Sequence, residues 1–246
     1  MVGSIYKLLH PLYDGLQTIV FDLRCKGCGE MLYSHEEAIC MNCERLMSQT
    51  TTCQPGAQEN VAEQRLSRLT HVESAFCAFN YGSERFNEGN ITRTIVIEFK
   101  YGGNKKLAYL MGLKLGRLML KTGYYNDCFA IVPVPVSRQR LSVRGYNQAE
   151  ELAKGASEIL DIPVRSDIIK RISNAASQTS RTHAERLTAL KGGFELMVGA
   201  NDLKGKSIIL MDDVLTTGAT LASCNEALSH IEDCKVNIAT LAIAHI

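Results

Sequence analysis

Ile208 to Thr220, reading Ile-Ile-Leu-Met-Asp-Asp-Val-Leu-Thr-Thr-Gly-Ala-Thr, constrains the fold more than any other stretch of the chain. Four apolar residues run into two adjacent acids and then into a small, hydroxyl-rich turn. Beyond the turn, Leu221, Cys224, Leu228 and Ile231 recur at helical spacing. A short apolar run of this kind is typical of a strand buried on both faces of a parallel sheet. The order therefore reads strand, loop, helix, and the class reads α/β. In open α/β sheets ligands sit at the carboxyl ends of the strands. Thr216, Thr217, Gly218, Ala219 and Thr220 would lie there, at the start of a helix. Gly218 lets backbone approach a ligand closely. Free N–H groups and the positive end of the helix dipole suit an anion such as phosphate. Asp212 and Asp213, just before that turn, suit vicinal hydroxyls or a hydrated Mg²⁺. The plainer alternative is two acids capping an ordinary βα turn.

The 246 residues allow one large domain, or one core domain with a small appendage. A formal charge of +1 points to neither a nucleic-acid binder nor an acidic-substrate binder, so any basic surface must be local. No stretch reaches the ~18 apolar residues that a membrane span needs. Residues 5–21 place Ile5, Leu8, Leu9, Leu12, Leu16, Ile19 and Val20 near one helical stripe, interrupted by Pro11. Met1 to Asp22 lacks a basic region followed by an apolar core, so no signal peptide is expected. The nine cysteines are an odd number, which argues against a fully paired secreted framework and for a cytoplasmic protein.

Cys25-Lys-Gly-Cys28 and Cys40-Met-Asn-Cys43 form two Cys-x-x-Cys knuckles. Each tight turn points two thiolates at one centre, which suits tetrahedral Zn²⁺. Four thiolates leave no open coordination position, so the role is structural. A pair of redox dithiols is the alternative. Residues 48–70 are rich in Ser, Thr, Gln and Glu around Pro55-Gly56, which reads as a linker. The expected organisation is an N-terminal helix and zinc ribbon at 1–55, a linker at 56–71, and an α/β domain at 72–246.

Ile91 to Phe99 looks helical and runs into Lys100-Tyr101-Gly102-Gly103. Glycines beside lysines suit a backbone nest for a diphosphate, or simply a helix C-cap with a basic last turn. Phe129 to Val132 is a short buried strand running into Pro133-Val-Pro135. Arg138, Arg140 and Arg144 follow with no intervening acid, ahead of Gly145-Tyr146-Asn147-Gln148. The guanidinium fork matches phosphate oxygens bidentately, although a solvated loop is the plainer reading. Val164 to Ile169 and Val236 to Ala244 read as further strands.

The match of 208–220 to hydrophobic residues, two acids, then Thr-Thr-Gly-x-Thr resembles the phosphoribosyl pyrophosphate (PRPP) signature of type I phosphoribosyltransferases. With the four-cysteine ribbon, Phe-Lys-Tyr-x-Gly at 99–103, Pro-Val-Pro…Arg-Gly-Tyr-Asn-Gln at 133–148 and the segment Gln178…Arg186…Phe194, nearly the whole chain resembles the ComF (ComFC/GntX-like) family. The resemblance implies a type I phosphoribosyltransferase-like parallel sheet flanked by helices, carrying a small zinc ribbon. It implies that Asp212 and Asp213 face the ribose hydroxyls and Mg²⁺, and that 216–220 holds the 5′-phosphate. Lys100, Tyr101, Gly102, Arg138, Arg140 and Arg144 would border the pyrophosphate. It links the protein to natural transformation and to DNA-uptake proteins. Arg181, His183 and Ala189 depart from the family's usual Leu, Arg and Asn, all in one segment.

Arg140, Arg144, Arg171, Arg181 and Arg186 suit an extended phosphate backbone such as single-stranded DNA. Tyr101 and Tyr146 suit base stacking or ordinary packing. An active transferase acting on a base, or an adaptor with a vestigial site, are the other readings. No catalytic base is identifiable, because the acceptor is not specified.

Overall fold

The computed structural model describes residues 24–53, 60–82, 90–172 and 193–244. The chain divides into two compact units at Leu46/Met47. That division precedes the boundary expected at 55, for a reason visible in the segment that follows it. Ser48 to Cys53 runs along the open edge of β1 (Ser74–Tyr81), where Ser48 O accepts from Asn80 N at 2.8 Å and Thr50 N donates to Ala78 O at 3.0 Å. The Thr52 hydroxyl donates to Cys77 O at 2.7 Å and accepts from Cys77 N at 3.1 Å. The polar residues that read as a linker therefore satisfy a sheet edge that would otherwise expose unpaired N–H and C=O groups. The expected linker at 56–71 contains a helix, Val61–Ser67, capped by Asn60 and burying Ala62 and Leu66.

In the first unit the only described helix is α1 (Met41–Leu46). The second unit is built on a sheet of β1, β2 (Ala130–Pro133), β5 (Ser207–Leu215) and β6 (Lys235–Ala244). Their order is β1-β6-β5-β2 and every pairing is parallel. Ile208 to Met211 are fully buried, as an apolar run without alternation requires. Val164 bridges to Ile131 in parallel at the other edge. The strand expected at 164–169 is split, however. Beyond Val164 the chain turns through an ion pair of Arg165 with Asp167 and Asp202, then enters β3 (Ile169–Arg171) of a second sheet. β3 pairs antiparallel with β4 (Phe194–Leu196).

One face of the main sheet carries α2 (Val61–Ser67), the β3–β4 hairpin and α7 (Ala219–Leu228) around a core including Leu66, Ile169, Phe194, Ile208, Leu210, Leu221 and Leu228. The other packs α3 (Asn90–Tyr101), α4 (Lys105–Thr122) and α6 (Gln148–Leu160). A short, exposed α5 (Arg138–Arg144) connects β2 to α6. α4 and α6 approach closely because glycines face each other. A Cβ on Gly155 would lie 2.1 Å from Tyr109 O, and one on Gly112 would lie 2.2 Å from Leu152 O. Backbone cannot yield to a methyl group there as a flexible side chain would. Gly155→Ala should therefore destabilise the protein by about 1–3 kcal/mol, the usual range for overpacking. Urea unfolding checks this, and an unchanged midpoint would mean that the helix pair slides apart freely.

Candidate functional site

Strand alternation sends Asp212 and Asp213 to opposite sides of β5. Asp213 is 4% exposed. Lys100 Nζ, from the last turn of α3, lies 2.7 Å from its Oδ1. Gln148 Nε2, from the first turn of α6, donates to its Oδ2 at 3.0 Å. Asp212 accepts the Asp213 N–H at 2.8 Å. Desolvation, and next the neighbouring Asp213 charge, push the Asp212 carboxyl up to about 7. A cation or hydroxyl donor beside Asp212 would offset that cost.

Gly218 caps α7 in the left-handed conformation, φ +87°, a backbone state that favours glycine. Thr216, Thr217 and Ala219 are exposed and Thr220 is half-buried, while Gly218 itself is buried. The Thr217 hydroxyl accepts the Ala219 N–H at 3.4 Å. A Cβ on Gly218 would meet Leu69 Cδ1 at 3.1 Å and Leu66 Cδ2 at 3.2 Å. The loop thus rests on α2 and the turn after it. Arg65 of α2 fixes the same loop from behind: its Nη1 donates to Thr216 O at 2.8 Å, Ala244 O at 2.6 Å and Leu215 O at 3.4 Å. One guanidinium ties the ends of β5 and β6 to the start of the loop.

Across β5, Arg144 sits over the Tyr101 ring at 5.1 Å, and Tyr101 itself is 71% exposed. Arg138 and Arg140 are exposed on α5, with the helix started by the Ser137 hydroxyl and ended by Gly145 at φ +78°. Gly102 and Gly103 close α3 with no ligand-shaped nest of their own required; Gly102 N donates to Glu98 O at 2.8 Å as a helix end does. Tyr146 differs from the base-stacking expectation. It is 9% exposed and its hydroxyl donates to Phe99 O, so it locks α3 to the entry of α6 and offers no open ring face. Burial pushes that phenol up to about 12. Arg171 lies over Phe194 at 5.3 Å on the β3–β4 hairpin. Arg181 and Arg186, with His183 and Ala189, lie outside the described residues.

In the first unit, Cys25, Cys28, Cys40 and Cys43 bring four sulfurs within 4.8 Å of one another. Cys28 Sγ and Cys40 Sγ are 3.8 Å apart. A tetrahedron with ~2.3 Å Zn–S bonds has S···S edges of about 3.8 Å, so the donor set fits Zn²⁺. Cys25 Sγ accepts N–H groups from Gly27 at 3.3 Å and Cys40 at 3.2 Å. Burial alone would raise the Cys25 thiol, yet backbone N–H groups led by that of Cys40 bring it down to about 7, toward the thiolate a metal needs. Burial and the three other sulfurs push Cys43 up, the opposite of what a bound dication would do.

A family model of the phosphoribosyl transferase domain matches residues 145–245. Competence protein F of Haemophilus influenzae is 27% identical, over 91% of this chain and 98% of its own. Competence protein ComFC of Bacillus subtilis is 28% identical, over 89% of this chain and 88% of its own. Over most of its length this chain is similar to both competence proteins. The DNA utilization protein YhgH of Escherichia coli is 32% identical over 40% of this chain and 42% of its own. Lys100, Gln148, Asp213 and the 216–220 loop meet at the carboxyl end of β5. Sequence reasoning missed Arg65 and Gln148. Arg65 sat inside an apparent linker, and Gln148 read only as a helix start. No helix among the described residues is long and apolar enough to cross a membrane.

Two measurements follow from this geometry. Protein purified without chelator should contain about one zinc per chain, and Cys43→Ala should lose it, since a four-thiolate site tolerates no missing ligand. Elemental analysis decides, and metal-free protein with a folded ribbon would overturn the assignment. Arg65→Ala leaves three carbonyls without their donor, so it should lower stability by about 1–3 kcal/mol, read by urea unfolding. An unchanged midpoint would mean that water replaces the guanidinium without loss.

Proposed function

We propose that this ComF homologue binds PRPP with Mg²⁺ at the carboxyl end of β5 and acts in competence, the uptake and use of DNA. The observation that carries the reading is Asp213, buried and pinned by Lys100 and Gln148, one short strand end away from a left-handed glycine opening α7. The first part would meet ribose hydroxyls or a hydrated cation, and the second a terminal phosphate. Thr216, Thr217, Gly218, Ala219 and Thr220 would supply N–H and hydroxyl donors to that phosphate. Lys100 already touches Asp213, so ligand entry shares or loosens that pair. Bound Mg²⁺ would neutralise charge on the diphosphate. Lys100 and the guanidinium of Arg144, beside the exposed Tyr101, would meet the same charge from the opposite wall. The DNA-related role rests on the relatives named for competence and DNA utilization.

Single-stranded DNA is the second ligand this reading includes. The exposed Arg138 and Arg140 on α5 and the exposed ring of Tyr101 under Arg144 support it: phosphates pair with the guanidinium groups, and a base stacks on the ring.

The test of the PRPP site uses Asp212→Asn and isothermal titration with PRPP and Mg²⁺. An Asp held above its ordinary value in the folded state destabilises the fold once it ionises. Its favourable contribution is present at low pH and lost as pH rises through about 7. Asn, which cannot ionise, should therefore raise the melting temperature above that pH while weakening PRPP binding at least tenfold, or about 1.4 kcal/mol. A variant that gains stability and still binds PRPP as the parent does would remove the assignment.

A further inference from the structure

Among the described residues, Thr92 Oγ1, Arg144 Nη1 and Gln148 Oε1 are the buried side-chain polar atoms without a hydrogen-bond partner. Buried polar groups are almost always satisfied, and exceptions cluster where a ligand belongs. Two of these atoms bracket Gly145 to Asn147, between α5 and α6. Gln148 is the informative one. It is 4% exposed, so its carbonyl has no bulk water to turn to.

Its orientation is fixed by chemistry. The amide lies 3.0 Å from Asp213 Oδ2. An ionised carboxylate only accepts, so the NH₂ end must face it and the carbonyl must face away. Turning the amide over would set two acceptors against each other and still leave a group unsatisfied. The other carboxylate oxygen, Oδ1, holds Lys100 Nζ at 2.7 Å. Each carboxylate oxygen keeps a second lone pair, so Asp213 has capacity for further hydrogen bonds beside those from Lys100 and Gln148. The Gln148 carbonyl shares its amide with the NH₂ that touches Asp213, so an orphaned acceptor lies within one amide group of a carboxylate that can still accept. Two adjacent acceptors complement two adjacent donors, which is the pattern of a vicinal diol.

We propose that Gln148 Oε1 accepts a hydrogen bond from one of the two ring hydroxyls of a bound ribose phosphate, while Asp213 takes the other. Gln148 is then a specificity-determining residue, selecting ribose over deoxyribose phosphates. This rests on the PRPP reading of the same site. It adds a residue, an atom and a discrimination that the signature at 208–220 does not contain.

The test is competition against labelled PRPP by ribose 5-phosphate, 2-deoxyribose 5-phosphate and 3-deoxyribose 5-phosphate, for the parent and for Gln148→Met. The parent should bind ribose 5-phosphate roughly tenfold more tightly than either deoxy sugar, the scale of one hydrogen bond to a buried partner. Gln148→Met should lose the preference against one deoxy sugar and keep it against the other. A residue that only steadied Asp213 would weaken all three ligands by the same factor, and that result would overturn the proposal. The parent alone also decides: equal affinity for all three sugars overturns it whether or not the variant folds. A parent that binds PRPP without sugar discrimination leaves the PRPP site standing and removes the diol assignment. A parent that binds neither PRPP nor ribose 5-phosphate removes both.

Discussion

A carboxylate buried at the end of a central strand cannot stand alone, and the second unit is arranged so that Asp213 does not. Removing one partner of a buried ion pair costs about 3–5 kcal/mol, because the remaining charge has nowhere to go. Lys100 and Gln148 supply the partners, and they come from two different helices. Their reach fixes where α3 ends and where α6 begins relative to β5. Tyr146 reinforces the same junction by bonding the α3 carbonyl at Phe99. The group that would meet the ligand is thus also the group that ties three elements together, and a neutral residue there would relax both.

The opposite side of the strand end depends on Arg65. Strand ends leave carbonyls without partners, and a loop that begins in the left-handed conformation cannot supply its own. A single guanidinium satisfies carbonyls of Leu215, Thr216 and Ala244, and Leu66 and Leu69 fill the space under Gly218. The loop is therefore held open toward solvent and closed toward the core. The chain between the cysteine cluster and the sheet supplies this support, and its preceding residues cover the edge of β1. A segment with few apolar residues does two structural jobs, through hydrogen bonds along β1 and from Arg65 and through the burial of Ala62 and Leu66.

The sequence by itself determined the α/β class and named Asp212, Asp213 and the 216–220 turn as the candidate site. An unbroken apolar run at 208–211, bounded by a turn, reads as a strand buried on both faces, and the structure gives Gly218 in that turn a positive φ. The two Cys-x-x-Cys knuckles were legible because local spacing alone brings each sulfur pair together, and the structure gathers all four. The parallel sheet also follows from the apolar runs at 129–132 and 236–244, whereas the α4–α6 pair rests on the facing glycines Gly112 and Gly155 that only the fold brings together. Only tertiary structure decided which polar residues matter. Lys100 and Gln148 meet Asp213 from far along the chain, and no local pattern encodes that distance. Tyr146 and Tyr101 look alike in sequence, both beside glycines, yet one is buried and the other is 71% exposed. Arg65 was hidden for the same reason: its composition reads as a linker, whereas its role comes from carbonyls on two strands that only the fold brings to it. Periodicity reports which face of an element is apolar; the pairing of buried polar atoms is settled by long-range geometry, and that is where the site lies.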